Sequence, residues 1–201
     1  MIRNKLQRLL EVTTAFIFLN LLWFIFCLPI VTIYPSTAAM FGIVRKWKIE
    51  GIDYEIRSNF ISLFKENFKK SFLLGIIWSV IGALMTMDFY LLMNLSFSGK
   101  SAVIGLLIFC TFIYVGMSIY MLPITVNFHL STKEIIKNAL FFTIGKIGTT
   151  VLCVMVIASI VIICYFIPFL LWIVGSTAAF FVYTIISNLN QGLWMGRNNG
   201  I

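Results

Sequence analysis

Charge is scarce in this chain. Asp, Glu, Lys and Arg make up 11% of its 201 residues, and only seven residues are acidic. Ordinary soluble domains carry about a quarter charged residues, so a water-exposed surface over the whole chain is excluded. Histidine occurs once, and the four cysteines, Cys27, Cys110, Cys153 and Cys164, form no C-x-x-C pair. Metal centres need clustered ligands, so no metal site and no cofactor is expected. The thiols read as reduced side chains packed among apolar neighbours. There is no Walker loop, H-E-x-x-H, G-x-S-x-G or glycosidase-like pair of acids. No catalytic constellation emerges, and an enzyme is not expected. Period-two alternation, the mark of a membrane β-barrel, is missing as well.

What fills the chain instead is apolar. Hydrophobic residues reach 61% and the mean hydropathy is +1.02. Runs such as 102–124 and 149–186 exceed what a domain of this size buries in water, so lipid is the solvent that suits them. Hydrocarbon leaves no water to satisfy backbone N–H and C=O groups, which selects helices. The class is therefore an all-α polytopic membrane protein, a single membrane domain over 1–201. The net charge of +8 sits at the ends of apolar runs, not in a stripe with interleaved aromatics. It marks topology and contacts with anionic headgroups, and no nucleic acid is expected. Arg3, Lys5 and Arg8 ahead of an apolar run imitate a signal peptide, but the run is too long and holds Pro29 and Pro35, so it is expected to be retained.

The stretch 12–44 is longer than the ~20 residues a bilayer requires, and Pro29 and Pro35 interrupt it. It reads as a span over 12–28, a turn, and a short or re-entrant returning segment over 35–47. Pro35 suits a first helical turn, where its missing N–H costs nothing. Further segments are expected at 72–94, 101–122, ending near Pro123, 147–166 and 169–187, with Pro168 opening the last turn. Two polar stretches, 48–71 and 127–146, are expected as cytoplasmic elements. In the first, Ile56, Phe60, Leu63, Phe64 and Phe68 recur at helical spacing opposite Lys65, Glu66 and Lys69. They read equally as an interfacial amphipathic helix or as the lower end of the next span. In the second, Ser131 to Glu134 has capping-box spacing. Threaded this way, both termini are cytoplasmic, and fourteen Lys and Arg lie inside against Lys100 outside, a strong positive-inside bias.

Few polar residues fall inside the segments. Asn20, at mid-span, is expected to hydrogen-bond a neighbouring helix. Asp88 is an acid within an apolar span, a functional candidate by default, though it lies close to the outer end. His129 reads as interfacial. Trp47 and Trp194 are expected in the aromatic belt. Arg57, Lys65, Lys69, Lys70, Lys133 and Lys137 form the candidate partner surface. A weak internal echo relates Ser36-Thr37-Ala38-Ala39 to Ser176-Thr177-Ala178-Ala179, small residues that would let helices approach closely.

Asn20-Leu21-Leu22-Trp23, Leu28-Pro29-Ile30-Val31-Thr32-Ile33, Pro35-Ser36-Thr37-Ala38-Ala39, Arg45-Lys46-Trp47 and Phe64-Lys65-Glu66-Asn67-Phe68 follow one another in the order of a known family. Leu122-Pro123 ahead of Lys137-Asn138-Ala139-Leu140 continues it. The chain resembles the YesL-like family along its length, most specifically in the N-terminal block. Tyr34 stands where that family usually has glycine, and Asn127 where arginine is expected. The resemblance implies a bacterial plasma-membrane protein of unassigned activity, of a kind encoded beside ATP-binding-cassette carbohydrate importers. The expected role is a non-catalytic accessory or assembly subunit, with the bilayer and importer permease subunits as partners. A small transporter or channel is the alternative.

Overall fold

A chain that must satisfy its backbone internally folds its apolar runs as helices. A computed structural model describes residues 2–53, 55–95, 99–167 and 170–189. Among them are seven α-helices and no strand: α1 (Ile2–Cys27), α2 (Ile33–Glu50), α3 (Ile56–Asn94), α4 (Lys100–Asn127), α5 (Thr132–Gly145), α6 (Ile147–Phe166) and α7 (Leu171–Leu189). Four of them hold stretches long and apolar enough to cross a membrane: Gln7–Cys27, Ile56–Asn94, Lys100–Asn127 and Ile147–Phe166. Ile30, Tyr165 and Phe166 are 75–82% exposed, among many outward-facing large apolar side chains on α1, α3, α4 and α6. Such a surface belongs in lipid. The architecture is that of a multi-pass membrane protein.

The α1–α2 turn is built as the prolines require. Pro29 is extended (φ −76°, ψ 114°) and is followed by one 3-10 turn, Ile30–Thr32. The Thr32 hydroxyl lies 2.6 Å from the carbonyls of both Phe26 and Pro29 and donates to one at a time. Pro35 is the third residue of α2, inside the first turn, where no intrahelical N–H bond is lost. Tyr34 is helical, and the positive φ angles among the described residues fall at Gly51 and Gly99. Its bulk is taken up across the interface, where a side chain on Gly75 would collide with Tyr34 Cβ.

Helix α2 is the centre of the molecule. Every residue from Ala38 to Val44 is buried, and α1, α3, α4 and α7 surround it. Its 18 residues reach about 27 Å, just under a ~30 Å hydrocarbon core. Pairings fix its orientation. Ser36 meets Trp23 and Phe16 meets Trp47, so α1 and α2 are antiparallel. Gly42 faces Leu63 and Gly75 faces Tyr34, so α2 and α3 are antiparallel too. Trp78 bonds to Ser118, and Gly82 lies under Tyr114, running α4 against α3. Phe24 against Trp172 and Phe16 against Phe180 do the same for α1 and α7. The C-terminal ends of α2, α4 and α7 and the start of α1 therefore gather at one end, where Lys5, Arg8, Arg45, Lys46, Lys48 and Arg57 lie at or near the helix ends.

Several expected boundaries move. The first helix starts at Ile2, well before residue 12. The stretch 48–71 is not a separate element. From Ile56 it is helical and continuous with the next segment, giving one 39-residue helix about 58 Å long. Its Phe60, Phe64, Phe68 and Phe72 form a ladder of ring contacts, capped by Phe26 of α1 against Phe60 and Phe64. The apolar face is amphipathic because α1 and α2 cover it, not because lipid does. Pro123 does not end its helix, since α4 continues to Asn127. The Asn127 amide donates to the Pro123 carbonyl at 2.7 Å and Arg45 to the Val126 carbonyl at 3.0 Å, which holds that last turn. Pro168 and Trp194 lie outside the described residues. The capping box is present: Ser131 Oγ accepts from Glu134 N, and Glu134 Oε2 accepts from Ser131 N at 2.8 Å.

Candidate functional site

Two polar constellations stand out. The first joins helices in mid-bundle. Asn20 is 3% exposed, and its Oδ1 accepts the Ser176 N–H at 3.2 Å. Ser176 Oγ donates to the Phe16 carbonyl at 2.9 Å, and Ser36 Oγ to the Trp23 carbonyl at 3.1 Å. Trp23 Nε1 in turn donates to Thr37 Oγ1 at 3.1 Å. The two Ser-Thr-Ala-Ala patches thus dock on the same helix, two turns apart, each serine capping a carbonyl of α1. Glycine 175 completes the close approach, because a Cβ there would collide with Asn20 Oδ1. Asn20 therefore bridges helices, as its position in the sequence predicts.

The second constellation lies at the basic end. Arg45 donates to the Val126 carbonyl at the C-terminus of α4, where a cation complements the helix dipole. Asn127 accepts from the Tyr183 hydroxyl at 2.9 Å. Lys48 reaches across to α7, donating to Asn188 Oδ1 at 2.6 Å and to the Thr184 carbonyl at 3.3 Å. The loop from α2 to α3 closes on Asp53, whose carboxylate accepts from Glu55 N at 3.1 Å, Lys46 Nζ at 3.0 Å and Asn59 Nδ2 at 3.0 Å. The Glu55 N–H, followed by the Lys46 bond, holds Asp53 below the usual carboxylate range. These contacts clamp the ends of four helices, α2, α3, α4 and α7, an arrangement that positions rather than reacts.

The remaining candidates scatter. Asp88 is exposed on the far half of α3, and His129 is exposed between α4 and α5. They do not converge with Asn20. Arg57, Lys65, Lys69, Lys133 and Lys137 are exposed and Lys70 is half-buried. Lys137 Nζ also lies 5.9 Å from the Phe141 ring centre. No cluster of three metal-ligating side chains occurs among the described residues. Trp47 is not in an aromatic belt. It is 5% exposed, packed on Phe16 at 5.1 Å, because α2 is enclosed on every side. Among the cysteines only Cys153 is buried, and Cys110 is exposed on the outer surface of α4. Arg45 and Tyr183 were the residues missed as site candidates. The partner of Arg45 carries no local signal, since the Val126 carbonyl lies 81 positions away in the chain.

The family described as "Protein of unknown function, DUF624" matches residues 16–89, from the Asn20 helix through the Asp53 loop to Asp88. The chain is 30% identical over 151 residues to "Uncharacterized protein YteU" of Bacillus subtilis (strain 168), covering 73% of this chain and 67% of that one. It belongs to the DUF624 family. Two further relatives from the same organism are "Uncharacterized protein YesL", 24% identical over 79% of this chain and 77% of its own length, and "Uncharacterized protein YesV", 25% identical over 85% and 80%. No solved structure matches the chain. The DUF624 match ends before α4, in keeping with an N-terminal block that resembles the YesL-like family more specifically than the later half.

Proposed function

We propose that this DUF624 protein is a non-catalytic accessory or assembly subunit in the bacterial plasma membrane, associated with a carbohydrate importer of the ATP-binding-cassette type. The observation that carries it is the segregation of charge along the bundle. Lys5, Arg8, Arg45, Lys46, Lys48 and Arg57 lie at or near the end where α1 begins and α2 and α7 finish, and Lys100 lies at the far tip of the α3–α4 hairpin. Under the positive-inside rule that end faces the cytoplasm. Six segments then thread the bilayer, with α2 as a short segment shielded by protein, and both termini are cytoplasmic.

An upright helix of about 58 Å overruns a ~30 Å core, so part of α3 then projects beyond the hydrocarbon. Arg57, Lys65, Glu66 and Lys69 are exposed on the first half of α3, which runs alongside α1 and α2. Together with Lys133 and Lys137 on α5, that half offers a basic surface to a cytoplasmic-side partner. The buried Asn20, Ser36 and Ser176 side chains make helix-to-helix bonds, which supports a scaffold over a lined aqueous path. The choice of importer permeases rests on the family resemblance. A tagged protein from sugar-grown cells is expected to co-purify with permease subunits, and charge reversal at Lys65, Lys69 and Lys70 to lower the yield. Recovery of no transporter component overturns the reading. Solute flux through the purified protein in liposomes, abolished by Asp88→Ala, would favour a transporter instead.

A further inference from the structure

Three stripes of side chains border one groove on the outer surface of the bundle. Trp78, Ile81, Met85 and Asp88 recur along α3 at three-to-four spacing, Leu107, Cys110, Tyr114 and Met117 along α4, and Ile136, Leu140 and Ile144 along α5. The groove has a volume of about 680 Å³. Its floor is held in place. The Trp78 and Tyr114 rings stack at 4.9 Å, Trp78 Nε1 donates to Ser118 Oγ at 2.7 Å, and the Tyr114 hydroxyl donates to the Trp78 carbonyl at 3.1 Å.

Asp88 is the exception on an otherwise apolar lining. It has no ion pair or hydrogen bond among the described residues. It lies six residues before the end of α3, about 9 Å along the axis. An acid within an apolar segment is costly and as a rule faces a partner charge or a polar path. This one faces outward, at the end of a preformed trough some three helical turns long.

We propose that the groove receives a transmembrane helix of a partner protein that carries a Lys or Arg at the depth of Asp88. A helix lying in an apolar groove is a recurring recognition mode, and the carboxylate supplies the charge complement that a bare acyl chain lacks. A second copy of this chain is a poor occupant. Its segments hold no Lys or Arg in mid-run, and Lys100, at the same end, already donates to the Met93 carbonyl at 3.4 Å. The proposal takes from the accessory-subunit reading only that a protein partner exists.

The test is photocrosslinking in native membranes, with benzoylphenylalanine in place of Met85 on one wall or Leu140 on the other. Both positions are expected to join one membrane protein, through a peptide within a span that contains Lys or Arg. Asp88→Asn is expected to reduce the adduct several-fold. Asp88→Lys is expected to abolish it, and an acid in place of the partner's cation to restore it. Adducts to lipid alone, to a second copy or to a span without a cation overturn the proposal, as do adducts indifferent to Asp88 and no adduct at either position. A rescued charge pair with a protein that is not part of a transporter would leave the groove assignment standing and remove the importer reading.

Discussion

At the scale of the residue, an amide in mid-span has few options. Water is absent, so Asn20 bonds to another helix or leaves a polar group unsatisfied in hydrocarbon. The helix it finds is α7, through the Ser176 N–H, and the absence of a side chain on Gly175 makes the approach close enough. Asn20→Leu removes that bond while retaining bulk. It is expected to destabilise the protein by about 1 kcal/mol, the usual worth of such bonds between membrane helices, measured by equilibrium unfolding in detergent. Unchanged stability would mean that packing and the Ser176–Phe16 bond hold α1 on α7 without it. Both Asn20 and its role were legible in the sequence, since polarity and mid-span position suffice to require a partner. Which helix supplied the partner was not, because the two residues are 156 positions apart.

At the scale of the element, the α2–α3 connection shows charge doing structural work outside the membrane-embedded segments. Asp53 collects three donors from the end of α2, the loop and the first turn of α3. Its folded pKa lies below its ordinary value, so this stabilisation is complete at neutral pH and is lost as pH falls through the folded value, below about pH 4. Exchange protection of the Glu55 amide, corrected for intrinsic rate, is therefore expected to fall in acid. In Asp53→Ala it is expected to be low at every pH. Sequence periodicity marked the apolar stripe that follows this loop, but the same stripe suits lipid or protein equally. Phe26 and Leu63 show that α1 and α2 cover it.

At the scale of the whole molecule, the proposed orientation places Asp53 and Lys100 on opposite sides of the membrane. In a cysteine-free background, Lys100→Cys is expected to react with an impermeant thiol reagent in intact cells. Asp53→Cys is expected to react only after permeabilisation. The reverse pattern would invert the threading. The orientation depends on the α1–α2 hairpin folding back at its prolines, and the pairing of Ser36 with Trp23 and of Trp47 with Phe16 is the geometry such a return demands.

Composition and hydropathy by themselves determined the class of this protein. A chain this apolar must satisfy its backbone internally, and only helices do that segment by segment. Local signals likewise determined the Pro29–Pro35 turn and the Ser131–Glu134 cap, because proline and capping chemistry act within a few residues. Only the tertiary structure decided that α2 is enclosed, that Trp47 is core, that α4 passes through Pro123 and that Asp88 borders a groove. Each of these depends on which helix lies alongside. In an apolar sequence the faces turned to lipid and to protein are written in the same residues.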